Sequence, residues 1–239
     1  MFPNTFHDVL NGPCFVLNLD RCEDRWPIMK ERIEAAGFRP ERMSAVDGKK
    51  GGCRKQWNEW MEGRDFTYRF DSDGQSGCTL SHVKLWEHIV MNNIPFASVF
   101  EDDALFHKDW TELAPIYYDH TDKATDIVYY GSQGAGKPTD PIVTKMSVFT
   151  THAYLISQDG AKKLLKLIKN STCLFVIDCM LIEKMYTNSC PFDWQCWNGT
   201  IYPDPARHTA LECRNDGLVY QDAEFESNIH CHAPPELKD

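Results

Sequence analysis

Between Cys14 and Gly48 the chain passes from a short apolar run, CFVLNL, through a helical pattern, DRWPIMKERIEAAG, to a second short run, RMSAVDG, that ends in an Asp47-Gly48 turn. Strand, helix and strand at such close spacing are the signature of a βαβ unit and so of a mostly parallel sheet. Gly37 closes the helical pattern, Asp24 is a candidate N-cap, and Pro27 is tolerated in a first turn.

The alternation continues downstream. SGCTLSHVKLWEHIVMN carries Leu80, Val83, Leu85 or Trp86, Ile89 and Val90 at helical spacing, and PFASVF then reads as a strand. DIVYYG and VFTTHAYLIS supply further strands, Ser157 is a good N-cap for the helix QDGAKKLLKLIKN, and another helix is expected from Asp178. TIYPDP reads as a last short strand. No linker, charge block or repeat divides the 239 residues, and 42% hydrophobic with 12% aromatic residues is enough to build a core. The expectation is therefore one α/β domain over residues 1–239.

A formal charge of −10 removes the clustered cations that attraction to nucleic-acid phosphates needs, so no nucleic-acid partner is expected. No window approaches the ~18 apolar residues of a transmembrane span, and the N-terminus lacks the basic start and apolar core of a secretory signal. The expected location is cytoplasmic, or the secretory-pathway lumen if a targeting segment lies outside the given sequence. The ten cysteines form no C-x-x-C pair, and several sit in apolar runs, as Cys14 and Cys179 do. They read as buried free thiols, with disulfides in the Cys173 to Cys231 half as the alternative. The sequons at Asn170 and Asn198 matter only in a secreted chain.

PFASVFEDDALF turns abruptly from a buried-strand pattern to three acids, Glu101, Asp102 and Asp103. In open α/β sheets ligands bind outside the carboxyl ends of the strands, which is where these acids fall. Adjacent carboxylates repel one another, so a partly buried triplet calls for a cation, and hard oxygen donors suit Mg²⁺ or Mn²⁺. Alternation puts Glu101 and Asp103 on one side and Asp102 on the other, so one ion would take one or two of them, with a diphosphate as the natural further partner. The alternative is that the acids merely complement the dipole of a following helix.

GCTLSHVKLWEHIVMNNIPFASVFEDDALF closely resembles the core signature of glycosyltransferase family 25, which includes lipopolysaccharide and procollagen galactosyltransferases. The likeness extends to FVLNLDRCEDRW and AVDGK before it and to DIVYYGSQG, AYLISQDGAKKLL and VIDCML after it, in the family's order, over most of Cys14 to Leu181. The resemblance implies a GT-A type nucleotide-binding sandwich, with a central mostly parallel sheet flanked by helices. It implies a UDP-sugar donor, a glycan or glycoprotein acceptor, a divalent metal (Mn²⁺ or Mg²⁺) at the acidic motif and inversion at the anomeric carbon.

Carried onto this chain, the resemblance makes Asp102 and Asp103 the metal ligands and sets Glu101 near the ribose or the metal shell. Asn18, Arg21 and Arg25 fall near the end of the first strand, where guanidinium groups can fork onto phosphate or uracil oxygens. Asp47 is a partner for uracil or ribose, or simply a turn former. Gly77 would let backbone approach the donor, Ser81 and His82 would point at the pocket, and Gly131 and Ser132 would line the sugar or acceptor site. Asp178 is the candidate base, or else an N-cap. His208, with Asp204 second, is the candidate further metal ligand. Residues 182–239 depart from the family pattern; Trp194 and Trp197 there either pack in the core or stack on a sugar, and His230, Cys231 and His232 offer a weak zinc set. Competing readings are a metal-dependent phosphohydrolase and an inactive sugar-nucleotide-binding module.

Overall fold

The computed structural model describes residues 1–132, 139–187, 189–202, 216–222 and 225. The chain begins with α1 (Phe6–Leu10), β1 (Cys14–Asn18), a 3₁₀ turn at Asp20–Cys22, α2 (Arg25–Ala35) and β2 (Pro40–Ser44). A second 3₁₀ turn at Gly48–Lys50 leads to α3 (Cys53–Trp60), β3 (Thr67–Tyr68), α4 (Asp73–Met91), β4 (Phe96–Glu101), β5 (Ala104–Phe106) and α5 (Trp110–Asp119). Then come β6 (Ile127–Tyr129), β7 (Gly131–Ser132), β8 (Val143–Thr144), β9 (Ala153–Ser157), α6 (Gln158–Lys169), β10 (Cys173–Leu174) and α7 (Ile177–Tyr186), followed by β11 (Trp194–Trp197), β12 (Asp216–Gly217) and β13 (Val219–Gln221).

Seven strands form the central sheet in the order β2-β1-β4-β9-β6-β11-β8. β2, β1 and β4 pair in parallel, as do β6 and β11, while β9 runs antiparallel to both its neighbours and β8 antiparallel to β11. Five of the seven therefore share one direction, which is the expected mostly parallel sheet. Alternate residues of each central strand enter opposite layers, as a two-residue side-chain period requires. Phe15, Leu17, Val99, Tyr154 and Ile156 join a core with Trp57, Leu80, Trp86, Leu164 and Met180 from α3, α4, α6 and α7. Val16, Phe100, Leu155 and Val128 join a second core with Phe6, Met29, Ile33, Trp110 and Tyr118 from α1, α2 and α5. Both sheet faces are covered, which leaves the strand ends as the place where the sheet itself can open onto a site.

Several local expectations change for identifiable reasons. Asp24 is already helical at φ −62° and makes no side-chain cap bond, because the Asp20–Cys22 turn feeds directly into α2. Ser72 caps α4 through the Gln75 amide at 3.1 Å, so that helix starts before the apolar pattern does. The pattern VFTTHAYLIS becomes strand only from Ala153, where its paired register with β4 ends at Phe100, although the Glu101 amide still donates to the His152 carbonyl at 2.8 Å. Ser157 caps α6 as expected, accepting from the Gly160 amide at 3.0 Å. Thr200–Tyr202 form a turn, and the rest of TIYPDP lies outside the described residues. Trp197 is buried core, its indole N–H donating to Thr121 Oγ1, and Trp194 donates to the Met146 carbonyl at 2.9 Å.

Gly77 sits in the second turn of α4 with its ideal Cβ position 2.5 Å from the Val46 carbonyl oxygen. Close approach of the Val46–Gly48 loop to the helix is what this glycine permits. Gly77→Ala should gain about 1 kcal/mol of helix propensity and lose ~1–3 kcal/mol to overpacking against immobile backbone. A net loss of about 1 kcal/mol in urea unfolding is the expected result, and a stabilised variant would show that the loop yields freely.

Candidate active site

Because β2, β1 and β4 are parallel and in register, with Asn18 opposite Ser44 and Leu17 opposite Glu101, their carboxyl ends finish together. The N-terminal half of α4 leans over that edge. Gly74, Cys78, Ser81 and His82, three or four residues apart, share one helix face and line a cleft with Arg21, Arg25, Val46, Gly48 and the three acids. The open cleft occupies about 640 Å³, counting space continuous with solvent. The switch from apolar strand to acidic turn thus marks the site.

The three acids have three different environments. Glu101 ends β4 and points toward α4: its Oε1 receives Thr151 Oγ1 at 3.0 Å and faces His82 Nε2 at 3.2 Å. On the far side of that ring Nδ1 meets the Tyr154 hydroxyl at 2.9 Å, which also accepts the Trp86 indole N–H at 3.0 Å. Burial pushes Glu101 up, but hydrogen bonds from His82 and Thr151 and the nearby imidazoles of His82 and His152 outweigh it and hold the carboxyl below its usual range. Thr151 is aimed by an unusual backbone, since its neighbour Thr150 has φ +86°, a costly conformation for a β-branched residue, on the order of 1–3 kcal/mol. The Thr150 hydroxyl donates to His152 Nδ1 at 2.7 Å, and the other ring nitrogen of His152 donates to the Val219 carbonyl.

Asp102 points the other way, and both of its oxygens are engaged. Oδ2 accepts Asn18 Nδ2 at 2.7 Å, and Oδ1 accepts Arg25 NH1 at 3.3 Å. Asn18 is itself fixed, donating to the Cys22 carbonyl and accepting Arg42 Nε at 2.7 Å. Burial raises Asp102, against the pull of Asn18 and Arg25. Asp103 is different again: Oδ2 has Gln221 Nε2 at 3.4 Å, whereas Oδ1 is buried with no hydrogen-bond partner among the described residues. Burial, then the charges of Glu101 and Asp102, push the Asp103 carboxyl well above its usual value. A buried orphan carboxylate oxygen beside two further acids suits a hard cation.

Cys78, His82 and Glu101 also bring one ligand atom each within 4.8 Å of one another. That trio suits a metal less well. Both His82 nitrogens already have partners, and burial, followed by the charges of Glu101, Asp178, Asp103 and Asp102, pushes the Cys78 thiol up, away from the thiolate a metal needs.

Arg21 Nε holds Asp47 Oδ2 at 3.0 Å, and Asp47 Oδ1 caps the Gly48–Lys50 turn through the Lys49 amide, so Asp47 is both a turn former and a neighbour of the cleft. Ser81 Oγ receives the Val46 amide at 2.8 Å and donates to the Gly77 carbonyl, stitching loop to helix. Gly131 and Ser132 do not line the cleft; Ser132 is fully buried and its strand β7 pairs with β12. Asp178 is not the N-cap of α7, a position held by Val176; it lies inside the first turn, half-buried, with Oδ1 accepting the Cys179 amide at 2.7 Å. It is off the cleft wall but close enough for its charge to act on Cys78 inside it. His208, Asp204 and the His230–His232 set lie outside the described residues. Gly48, Gly74, Cys78 and Gln221 escaped the sequence reading; only the i, i+4, i+8 spacing of Gly74, Cys78 and His82 offered a signal for any of them.

The sequence profile described as glycosyltransferase family 25 (LPS biosynthesis protein) matches residues 11–146. The chain is 28% identical over 166 residues to a mouse protein named procollagen galactosyltransferase 2, covering 63% of this chain and 27% of that one. It is 27% identical over 165 residues to a Drosophila melanogaster glycosyltransferase 25 family member, again covering 63% and 27%. This chain thus spans only about a quarter of either relative. A solved glycosyltransferase involved in glycosylation of the major capsid of PBCV-1 superimposes with a TM-score of 0.50 over 90% of this chain and 93% of its own, at 8% identity, which speaks to fold alone. Over more than half of its length, from before the first strand to beyond the acidic triplet, the chain fits one profile and belongs to glycosyltransferase family 25.

Proposed function

We propose that this chain is a metal-dependent inverting hexosyltransferase, moving galactose or glucose from a UDP-sugar to a hydroxyl of a glycan or of a hydroxylysine-type glycoprotein acceptor. The observation that carries the reading is the buried oxygen of Asp103, without a hydrogen-bond partner among the described residues, in a cleft lined also by Glu101, Asp102, Arg21 and Arg25. Asp103 would hold Mn²⁺ or Mg²⁺, with Glu101 near the metal shell; Asp102, both oxygens taken by Asn18 and Arg25, serves better as the group that orients Arg25 than as a ligand in this arrangement. The ion, when bound, supplies Lewis-acid neutralisation of the departing diphosphate.

Arg25 and Arg21 supply fixed cations where negative charge grows as the sugar–UDP bond breaks. Asp47, Ser81 and His82 shape the remaining donor wall, and Gly77 keeps it close-packed. The acceptor oxygen attacks the anomeric carbon on the face opposite UDP, its proton passes to the Asp178 carboxylate, and the electron pair of the broken bond leaves on the diphosphate. Gly131 and Ser132 would support the acceptor side from behind the cleft.

A cytosolic site of action is supported by Cys14, Cys22, Cys53 and Cys196, which are buried as small side chains within the packed interior. Among the described residues no helix is long and apolar enough to cross a membrane.

Incubation with UDP-galactose or UDP-glucose and a hydroxyl acceptor, with Mn²⁺ or with chelator, tests the reading by UDP release. Release that needs both metal and acceptor is the expected result. Metal-independent UDP binding without turnover would mark an inactive binding module, and phosphate release from simple esters a phosphohydrolase.

A further inference from the structure

The C-terminal part of the chain reaches the acidic motif. β13 pairs antiparallel with β5, setting Gln221 opposite Ala104, one residue past Asp103, and the Asp222 amide donates to the Asp103 carbonyl at 2.6 Å. Asp222 Oδ2 then takes Arg32 NH2 at 2.8 Å, with the Asp222 side chain almost fully buried. The Phe225 amide donates to the Asp222 carbonyl at 3.2 Å, and two guanidinium groups lie over the Phe225 ring, Arg25 at 4.8 Å and Arg32 at 5.2 Å from its centroid. Arg25 and Arg32 lie seven residues apart, on one face of α2.

Arg25 lines the cleft, holds Asp102 and lies over the Phe225 ring, so a carboxylate and an aromatic face constrain its guanidinium together. Arginine recognises phosphate through a planar fork, and a fork of fixed plane loses less entropy on binding than one that must be ordered. We propose that Phe225 is a positioning residue for the donor diphosphate: stacked on Arg25 and anchored by the Arg32–Asp222 pair, it holds the Arg25 fork toward the cleft. The proposal rests on the sugar-nucleotide reading of the site. It makes Gln221, Asp222 and Phe225, which lie in the part of the chain that departs from the family pattern, a part of the donor site.

The test is calorimetric titration of the whole chain with UDP in Mn²⁺. Phe225→Leu should weaken UDP about five- to tenfold, the worth of a partly desolvated cation–π contact, and Phe225→Tyr should restore most of it. If Phe225 acts through Arg25, then in an Arg25→Met background Phe225→Leu should change UDP affinity by less than about twofold. Unchanged affinity in Phe225→Leu, or an equal loss in both backgrounds, would overturn the proposal. The two-background comparison holds even where Phe225→Leu lowers the melting temperature, because both members carry that loss. Wild-type protein that binds no UDP with any divalent ion would sink the sugar-nucleotide reading, and this inference with it; wild-type binding with no Phe225 effect would sink this inference alone.

Discussion

Asp103→Asn should abolish metal-dependent UDP binding while leaving the ion-free protein folded. Losing an outer partner of a metal ligand alone costs about 10–100-fold in metal affinity, so losing the ligand should cost at least about 100-fold, read as UDP titrations with Mn²⁺ and with chelator. Retention of wild-type affinity would remove Asp103 from the metal site. The same substitution makes a second prediction of opposite sign. Burial and the charges of Glu101 and Asp102 hold the Asp103 carboxyl well above its usual value, so without metal its ionisation is a cost to the folded state. The cost begins as pH rises past the unfolded value of about 3.9 and grows until pH passes the raised folded value. Chelator-treated Asp103→Asn should therefore be at least as stable as wild type at neutral pH, and the gap should shrink toward acid. A variant that loses UDP and also loses stability would point to a structural role for Asp103.

The neighbouring acids carry opposite balances, which is why three carboxylates can share one strand end. Glu101 is held below its usual range by His82, Thr151 and the nearby imidazoles, whereas burial raises Asp102 even though Asn18 and Arg25 engage both of its oxygens. Repulsion is thereby concentrated on Asp103, whose buried oxygen has no counterpart among the described residues. The asymmetry favours one ion over an even sharing of it, and it comes from the outer partners rather than from the triplet itself.

Much of this was legible in the chain. The apolar run before Glu101, the βαβ pattern over Cys14–Gly48 and the α4 periodicity rest on local pattern, and the parallel β2-β1-β4 edge follows from them. Asn18, Arg25 and Asp47 could be placed near strand ends for the same reason. The antiparallel β9 could not be read locally, because strand direction is set by how the chain crosses the sheet, and an apolar run looks the same either way. Thr151 and Tyr154, 50 and 53 positions after Glu101, meet it or its partner His82 only because β9 lies beside β4. The pairing of Gln221 and Phe225 with the acidic motif is longer-range still. Gly77 was legible as a special position, but its cause is the close contact of loop and helix rather than the approach of a ligand.

Asp178→Asn should leave UDP affinity within about twofold of wild type and lower kcat by roughly 10²–10⁴-fold, the span of general-base catalysis. Asp178 is half-buried in the first turn of α7, its charge reaches Cys78 on the cleft wall, and one of its oxygens is used by the Cys179 amide. In the proposed mechanism the other oxygen would take the proton of the acceptor hydroxyl. Asparagine keeps the size of the side chain and can keep the Cys179 bond, so a fall in kcat without a fall in melting temperature isolates the lost proton acceptor from any structural role. A purely structural role for its charge in the first turn of α7 predicts the reverse pattern: a loss of up to about 1 kcal/mol in stability and full turnover once folded. Undiminished kcat would move the base elsewhere, and the acids already in the cleft are poor substitutes. Glu101 and Asp102 are committed to hydrogen bonds, and Asp103 is the group best placed for the metal.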